Sequence, residues 1–349
     1  MLPVFRSTFS AISFCVLLIV LPGLPVVTNW AGHPPREQAY AGMSTAVGPV
    51  GMHVREIFND SPDTDVLFLG SSLVRSGVDV PMIESAMSAH LGRPAHIEML
   101  ALNWQGLDLQ YFLLRDYLSS HHVKLIVWNL PVPGSRSIEP HVEAFRWVRF
   151  GEYSDALSGL SLPYRLALYG DMVLGAPREM LSHFRPNLLS KNELDFQVRS
   201  ERMGYYGRSF VPDVVGSAAT PTLGESYEDP RYHFVYAVGK PLDPYEDHFA
   251  GKIVDLARQK RTKIALLHIP IDSEQGLTYM PERCSWTDEL HTAAPMIGST
   301  SAVLFRDVNK ERFYNFYRDQ HFNLNGSVLF TQSIIPAILK AYDTRGTYE

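Results

Sequence analysis

The sequence predicts an α/β fold built on a mainly parallel sheet, and three observations carry that expectation. Residues 66–69 (Val-Leu-Phe-Leu), 95–102 and 123–128 are short apolar runs of the kind that form strands buried on both faces. The stretches between them, 81–91 and 107–118, repeat apolar residues at helical intervals. Strand, helix, strand, helix, strand is the order in which right-handed crossovers wind a parallel sheet. Each run also ends at polar or turn-forming residues: Gly70-Ser71-Ser72, Asn103-Trp104-Gln105-Gly106 and Asn129-Leu130-Pro131. In open α/β sheets ligands bind beyond those carboxyl ends.

Taken in order, the chain begins with a charge-free stretch from 7 to 35. Residues 9–27 are mostly apolar, close to the roughly 20 that a membrane helix needs. Arg6 precedes them and Trp30 follows at an interfacial position. Pro22, Gly23 and Pro25 interrupt the second half and favour a cleaved signal. The small-x-small site Ala39-Tyr40-Ala41 lies beyond the apolar run, behind Arg36 and Glu37, and favours an uncleaved anchor. The expectation is a single-pass anchor at 9–28 within segment 1–30, with a cleaved signal or a buried core helix as alternatives. Either of the first two exports everything after it.

Residues 31–60 mix Gly, Pro and polar side chains and read as a linker, leaving 61–349 as one domain. The helix over 81–91 is expected to have Asp79 as its cap, Pro81 in its first turn and Gly92 at its end. The helix over 107–118 presents Leu107, Tyr111, Leu114 and Leu118 on one face. From about 132 to 244 the rhythm breaks. This long insertion reads as a cap over the strand ends or, equally, as a second packing layer. Regular alternation then resumes: a helix over 245–260, a fourth strand over 262–269, a short fifth strand over 302–305 and a closing helix over 324–342. That last helix is entered through Asp319-Gln320-His321-Phe322-Asn323.

The formal net charge of −6 over 349 residues leaves no basic footprint for nucleic acid. Two cysteines, Cys15 and Cys284, provide neither a disulfide framework nor a cysteine-based zinc site. No Gly-rich phosphate loop, zinc-binding His pair or paired-carboxylate motif stands out, so neither a metal nor a cofactor is expected.

The chemistry centres on Ser72, a hydroxyl just past the first strand. A serine needs a base to take its proton, usually a histidine held by a carboxylate. His321 and Asp319, two residues apart on a loop before a helix that packs on the sheet, suit those roles. On an extended loop both side chains point the same way, so Asp319 can touch one imidazole nitrogen while the other faces Ser72. Oxyanion donors are expected from the Ser72 N–H, the Gly106 N–H and the Asn129 side-chain amide, with Asn103 as a spare. The competing readings are plain. A serine at such a turn is commonly a helix cap, and the Asp319–His321 pair, or Asn323 or Asn325, would serve equally as a cap for the last helix. His268, ending the fourth strand, is a rival base. Arg75 and Arg136 read as solvated surface residues, with an anionic substrate as the alternative.

In order and position these residues resemble the SGNH (GDSL-like) hydrolase superfamily, across roughly 60–131 and 245–342. In that superfamily a serine follows the first strand, a glycine the second and an asparagine the third, with Asp and His near the carboxyl terminus. Gly70-Ser71-Ser72, Gly106, Asn129 and Asp319/His321 match in turn. Ser71 stands where the usual motif has Asp, and one residue rather than two separates Asp319 from His321. The Gly-Ser-Ser turn and the Asp-Gln-His-Phe-Asn-Leu-Asn-Gly ending look more like the membrane-anchored branch, which acts in polysaccharide O-acetylation and teichoic-acid D-alanylation.

The resemblance implies a three-layer α/β/α, flavodoxin-like fold. It also implies an exported, membrane-anchored serine acyltransferase or esterase facing the periplasm or cell surface. Its partners would be an acyl donor, a polysaccharide acceptor and a multi-span membrane acyltransferase. A plain hydrolytic esterase of glycans or lipids, and a non-catalytic glycan- or partner-binding scaffold, are the alternatives.

Overall fold

The computed structural model describes residues 7–17, 36–40, 50–58, 63–102, 106–129, 160, 162–163, 165–166, 242–271, 294–305, 316–318 and 321–344. The chain divides into two units, Met1–Met43 with Val142–Leu189 and Ser44–His141 with Ser190–Glu349.

In the first unit residues 8–17 are helical, with Ser7 Oγ accepting from the Ser10 N–H at 3.1 Å. Phe9, Ile12, Phe14, Val16 and Leu17 of this helix are exposed. A second short helix spans Arg36–Tyr40. Among the described residues no helix is long and apolar enough to cross a membrane. Residues 18–35, which complete the expected anchor, lie outside the described residues, as do nearly all of 132–244 and Cys284.

The second unit holds the sheet. Its elements are α1 (Val50–Phe58), β1 (Thr64–Gly70), α2 (Ser72–Gly77), α3 (Val80–Leu91), β2 (Ile97–Ala101), α4 (Leu107–Ser120) and β3 (Val123–Asn129). They continue with α5 (Pro244–Gln259), β4 (Lys263–His268), β5 (Met296–Gly298), α6 (Ser301–Leu304), β6 (Tyr317–Arg318), β7 (His321–Phe322) and α7 (Leu324–Asp343). Strands β1 to β5 form one parallel sheet in the order β2-β1-β3-β4-β5. The strand order reverses between β1 and β3, so a crevice is expected where their carboxyl ends diverge.

Burial explains the pattern of β1. Val66, Leu67, Phe68 and Leu69 are all fully buried, and side chains of this size contribute roughly 1.5–3 kcal/mol each when taken from water. On one face, Val66 and Phe68 join Met99, Val127 and Leu267 against Ile83 and Met87 of α3 and Phe330, Ile334 and Ile338 of α7. On the other, Trp128 Nε1–H donates to Gln110 Oε1 at 2.7 Å, tying β3 to α4. Phe112 of α4 meets Phe249 of α5 edge-on, and Tyr245 packs on Phe249 from the same helix. Helices therefore cover both faces of the sheet.

The local signals at α3 act as expected. Asp79 Oδ1 accepts from the Met82 N–H at 3.2 Å, Pro81 sits in the first turn, and Gly92 ends the helix at φ +65°. The fifth strand is different. It is Met296–Gly298, pairing with Leu266–His268, rather than 302–305. Residues 301–304 instead turn into α6, because Thr300 caps them by accepting from the Val303 N–H. The segment expected as a linker contains α1, whose His53 is buried.

At the amino-terminal edge of the sheet, Asp65 gathers segments from far apart. Its carboxylate accepts from Arg93 (2.6 and 2.8 Å), the His96 N–H (3.1 Å), Lys124 (3.1 Å) and Tyr342 Oη (2.8 Å). Burial pushes the Asp65 carboxyl up, but Arg93 first, then the His96 N–H, Tyr342 and Lys124, hold it well below the usual carboxylate range. Nearby, Lys263 donates to the Tyr342 and Thr344 carbonyls, satisfying acceptors that the end of α7 leaves open.

Candidate active site

Ser72 is the first residue of α2, immediately after the turn that leaves β1. The capping role belongs to its neighbour: Ser71 is the N-cap and its hydroxyl accepts from the Leu73 N–H at 3.4 Å. Ser72 Oγ meets a different partner, His321 Nε2 at 2.9 Å, across 249 positions of chain. With the imidazole proton on Nδ1, Nε2 accepts the Ser72 hydroxyl, the relation a general base requires.

The placement of His321 follows from its neighbours. Strands β6 and β7 pair antiparallel, with Arg318 opposite His321 and Tyr317 opposite Phe322. Phe322 is buried among Tyr317, Phe305 and Phe330, which pins the residue next to the histidine. Asn323 then caps α7, its Oδ1 accepting from the Gly326 N–H at 3.1 Å, while its own N–H donates to the Phe316 carbonyl at 2.9 Å. A Cβ on Gly326 would sit 2.3 Å from that carbonyl oxygen and 2.6 Å from the Phe322 ring, so the tight approach requires glycine. The cap of α7 is therefore Asn323, and the side chain of His321 meets the serine instead.

Asn129 ends β3 beside Gly70. Its Oδ1 accepts from Ser71 Oγ at 3.3 Å and its Nδ2 donates to the Leu267 carbonyl at 3.4 Å. Gly70 makes this approach possible: a Cβ there would lie 2.6 Å from Asn129 Cβ and 2.4 Å from Val74 Cγ2. Gly106 is the N-cap of α4, beyond the end of β2, with φ −77° and ψ 168°. It therefore stands at the same carboxyl edge as Ser72 and Asn129, since Gly70 is paired with Ala101 in register. Asp319 and Asn103 lie outside the described residues, and so does Arg136.

His268 ends β4 and is 9% exposed; the hydroxyl at Ser72 is taken by His321. Arg75, expected on a solvated surface, is 2% exposed one turn beyond Ser72. Burial lowers the His53 imidazole to about 4, with the Ala101 hydrogen bond opposing and the charge of Arg75 assisting. The His53 Nε2 lies 3.1 Å from the Ala101 carbonyl and its Nδ1 3.1 Å from Glu56 Oε2, so the ring braces the end of β2 against α1. Sequence reasoning missed this brace and the Ser71–Asn129 contact. The available signal for the second was a hydroxyl at a helix N-cap next to a candidate nucleophile. Among the described residues no group of three or more His, Cys, Asp or Glu could hold a metal ion.

Chemically, the arrangement offers a buried hydroxyl, a base in contact with it and amide donors at the same sheet edge. No family model matches the chain, and comparison with curated proteins finds no match.

Proposed function

We propose that the chain is a serine acyl-transfer enzyme of SGNH type, an esterase or O-acyltransferase acting on acyl esters, acetyl esters first among them, of an extracytoplasmic polysaccharide. The single observation that carries the reading is the 2.9 Å contact between Ser72 Oγ and His321 Nε2. Ser72 Oγ attacks the acyl carbonyl as His321 Nε2 takes its proton, giving a tetrahedral intermediate. Collapse expels the alkoxide leaving group, which receives that proton from His321, and leaves an acyl-Ser72 ester. Water or an acceptor hydroxyl then attacks, again deprotonated by His321, and Ser72 is regenerated. Asp319 is assigned the orientation of the imidazole. The Ser72 N–H, the Gly106 N–H and the Asn129 Nδ2 are assigned to the oxyanion.

The apolar segment 9–28 is assigned to tether the enzyme to the membrane. There a multi-span acyltransferase would deliver the acyl group, and the polysaccharide would accept it. The exposed apolar side chains of helix 8–17 favour the tether.

The test is cleavage of p-nitrophenyl acetate by the purified protein, with and without a sugar acceptor. Ser72→Ala and His321→Ala are expected to lower kcat by roughly 10³-fold or more while the folded state persists. Wild-type turnover in either variant would defeat the reading. An acceptor that captures the acyl group at the expense of acetate release supports transfer; release indifferent to acceptor supports hydrolysis.

A further inference from the structure

We infer that Ser71 is a positioning residue for the oxyanion donor Asn129, an inference that rests on the proposed acyl-transfer reading. The two groups are 58 positions apart, yet Ser71 Oγ–H donates to Asn129 Oδ1 at 3.3 Å. The other end of the amide fixes which atom is which. Nδ2 faces the Leu267 carbonyl at 3.4 Å, a group that only accepts, so the nitrogen must lie on that side and the oxygen toward Ser71.

One Nδ2 hydrogen is thereby directed at Leu267, which leaves the amide its second N–H for the oxyanion role assigned to it. A hydrogen bond received at Oδ1 draws electron density from the amide nitrogen and makes the remaining N–H a stronger donor. Ser71 is well placed for this because the same residue caps α2, so its backbone is held at the turn that presents Ser72. Gly70 keeps the passage between them open, since a Cβ there would collide with Asn129.

The test is a double-mutant cycle between Ser71 and Asn129 on p-nitrophenyl acetate, with Ser72→Ala as the control. Ser71→Gly is the informative variant, because glycine is a tolerated N-cap but carries no hydroxyl. Expected is a drop in kcat of about tenfold with KM unchanged and the unfolding midpoint near wild type, a part of the roughly 10²–10³-fold loss of removing an oxyanion donor. Ser71→Thr, which restores the hydroxyl, is expected to recover most of the rate. In an Asn129→Ala background, Ser71→Gly should cost nothing further.

Equal cost in both backgrounds, or wild-type kcat in Ser71→Gly, overturns the positioning role while leaving the enzyme reading intact. Wild-type kcat in Ser72→Ala overturns the enzyme reading and this inference with it. Where ester cleavage is too slow to follow, the rate of fluorophosphonate labelling at Ser72 replaces kcat in the same cycle.

Discussion

The two ends of β1 hold opposite kinds of polar chemistry. At its start, Asp65 is a carboxylate whose oxygens are met by two cations, a phenol and a backbone N–H, at 2.6 to 3.1 Å. Just past its end lie two separate pairs, Ser72 with His321 at 2.9 Å and Ser71 with Asn129 at 3.3 Å, the asparagine amide also reaching the Leu267 carbonyl at 3.4 Å. Helix α7 joins both, since β7 just before it carries His321 and its last turn supplies Tyr342. Twenty helical residues span about 30 Å, so a single element reaches from the site to the clamp. The difference teaches a division of labour. Charge, short contacts and saturation belong to the end that holds the sheet. Hydroxyl, imidazole and amide groups belong to the end where the proposed reaction would move a proton and develop negative charge.

Substitutions at the two ends should therefore separate stability from turnover. The largest stability effect is expected from Asp65→Ala. It removes four partners from a carboxylate that is 2% exposed, though Arg93 and Lys124 remain partly exposed and regain water. A loss of about 2–4 kcal/mol follows, read as a lower denaturation midpoint with ester cleavage per folded molecule unchanged. A variant of full stability would break the contrast. Asn129→Ala should do the reverse, lowering kcat by roughly 10²–10³-fold with a far smaller change in the midpoint.

Acidification offers a second way to part them. The Asp65 carboxyl is held below its unfolded value, so the stability it contributes is present above about pH 4 and fades as pH falls toward its folded value. Denaturation midpoints measured from pH 6 down to pH 2 should fall for the wild type and fall less steeply for Asp65→Asn. Identical slopes would show that the clamp is not the titrating element.

Gly70→Ala lies between the two regimes. Its Cβ would press on Val74 and Asn129, so a cost of about 1–3 kcal/mol should come with a loss of turnover, measured by melting and by kcat on one preparation. The smallest effect is expected at Asn323→Ala. It removes the cap of α7, worth about 1 kcal/mol, two residues from His321. A several-fold fall in kcat alongside it would show that the cap also sets the base.

What could be read in the sequence follows the same division. Four buried strands were legible because a doubly covered parallel strand must be an unbroken apolar run, as 66–69 is. Strand β5 was not, since three residues carry little pattern and the more apolar 302–305 lies next to it; Thr300 and Gly298, at φ +137°, decide the matter locally. Helix α1 was hidden by its Gly and Pro surroundings. Ser72 and His321 were legible as residue types at strand and helix ends, and the fold brings them into contact. The purpose of Ser71 was not, because it is defined by an asparagine on the neighbouring strand. Asp65 was invisible for the same reason: its partners come from the β2 approach, β3 and the last turn of α7. Polar contacts between distant segments leave no periodicity behind.

Whether Ser72 is a nucleophile activated by His321 is decided by mapping the adduct of a fluorophosphonate probe on the intact protein. The expected result is one modified residue, Ser72, with labelling abolished in Ser72→Ala and slowed by roughly 10³-fold in His321→Ala. An adduct on another residue, or labelling of Ser72 at an undiminished rate without His321, would contradict it.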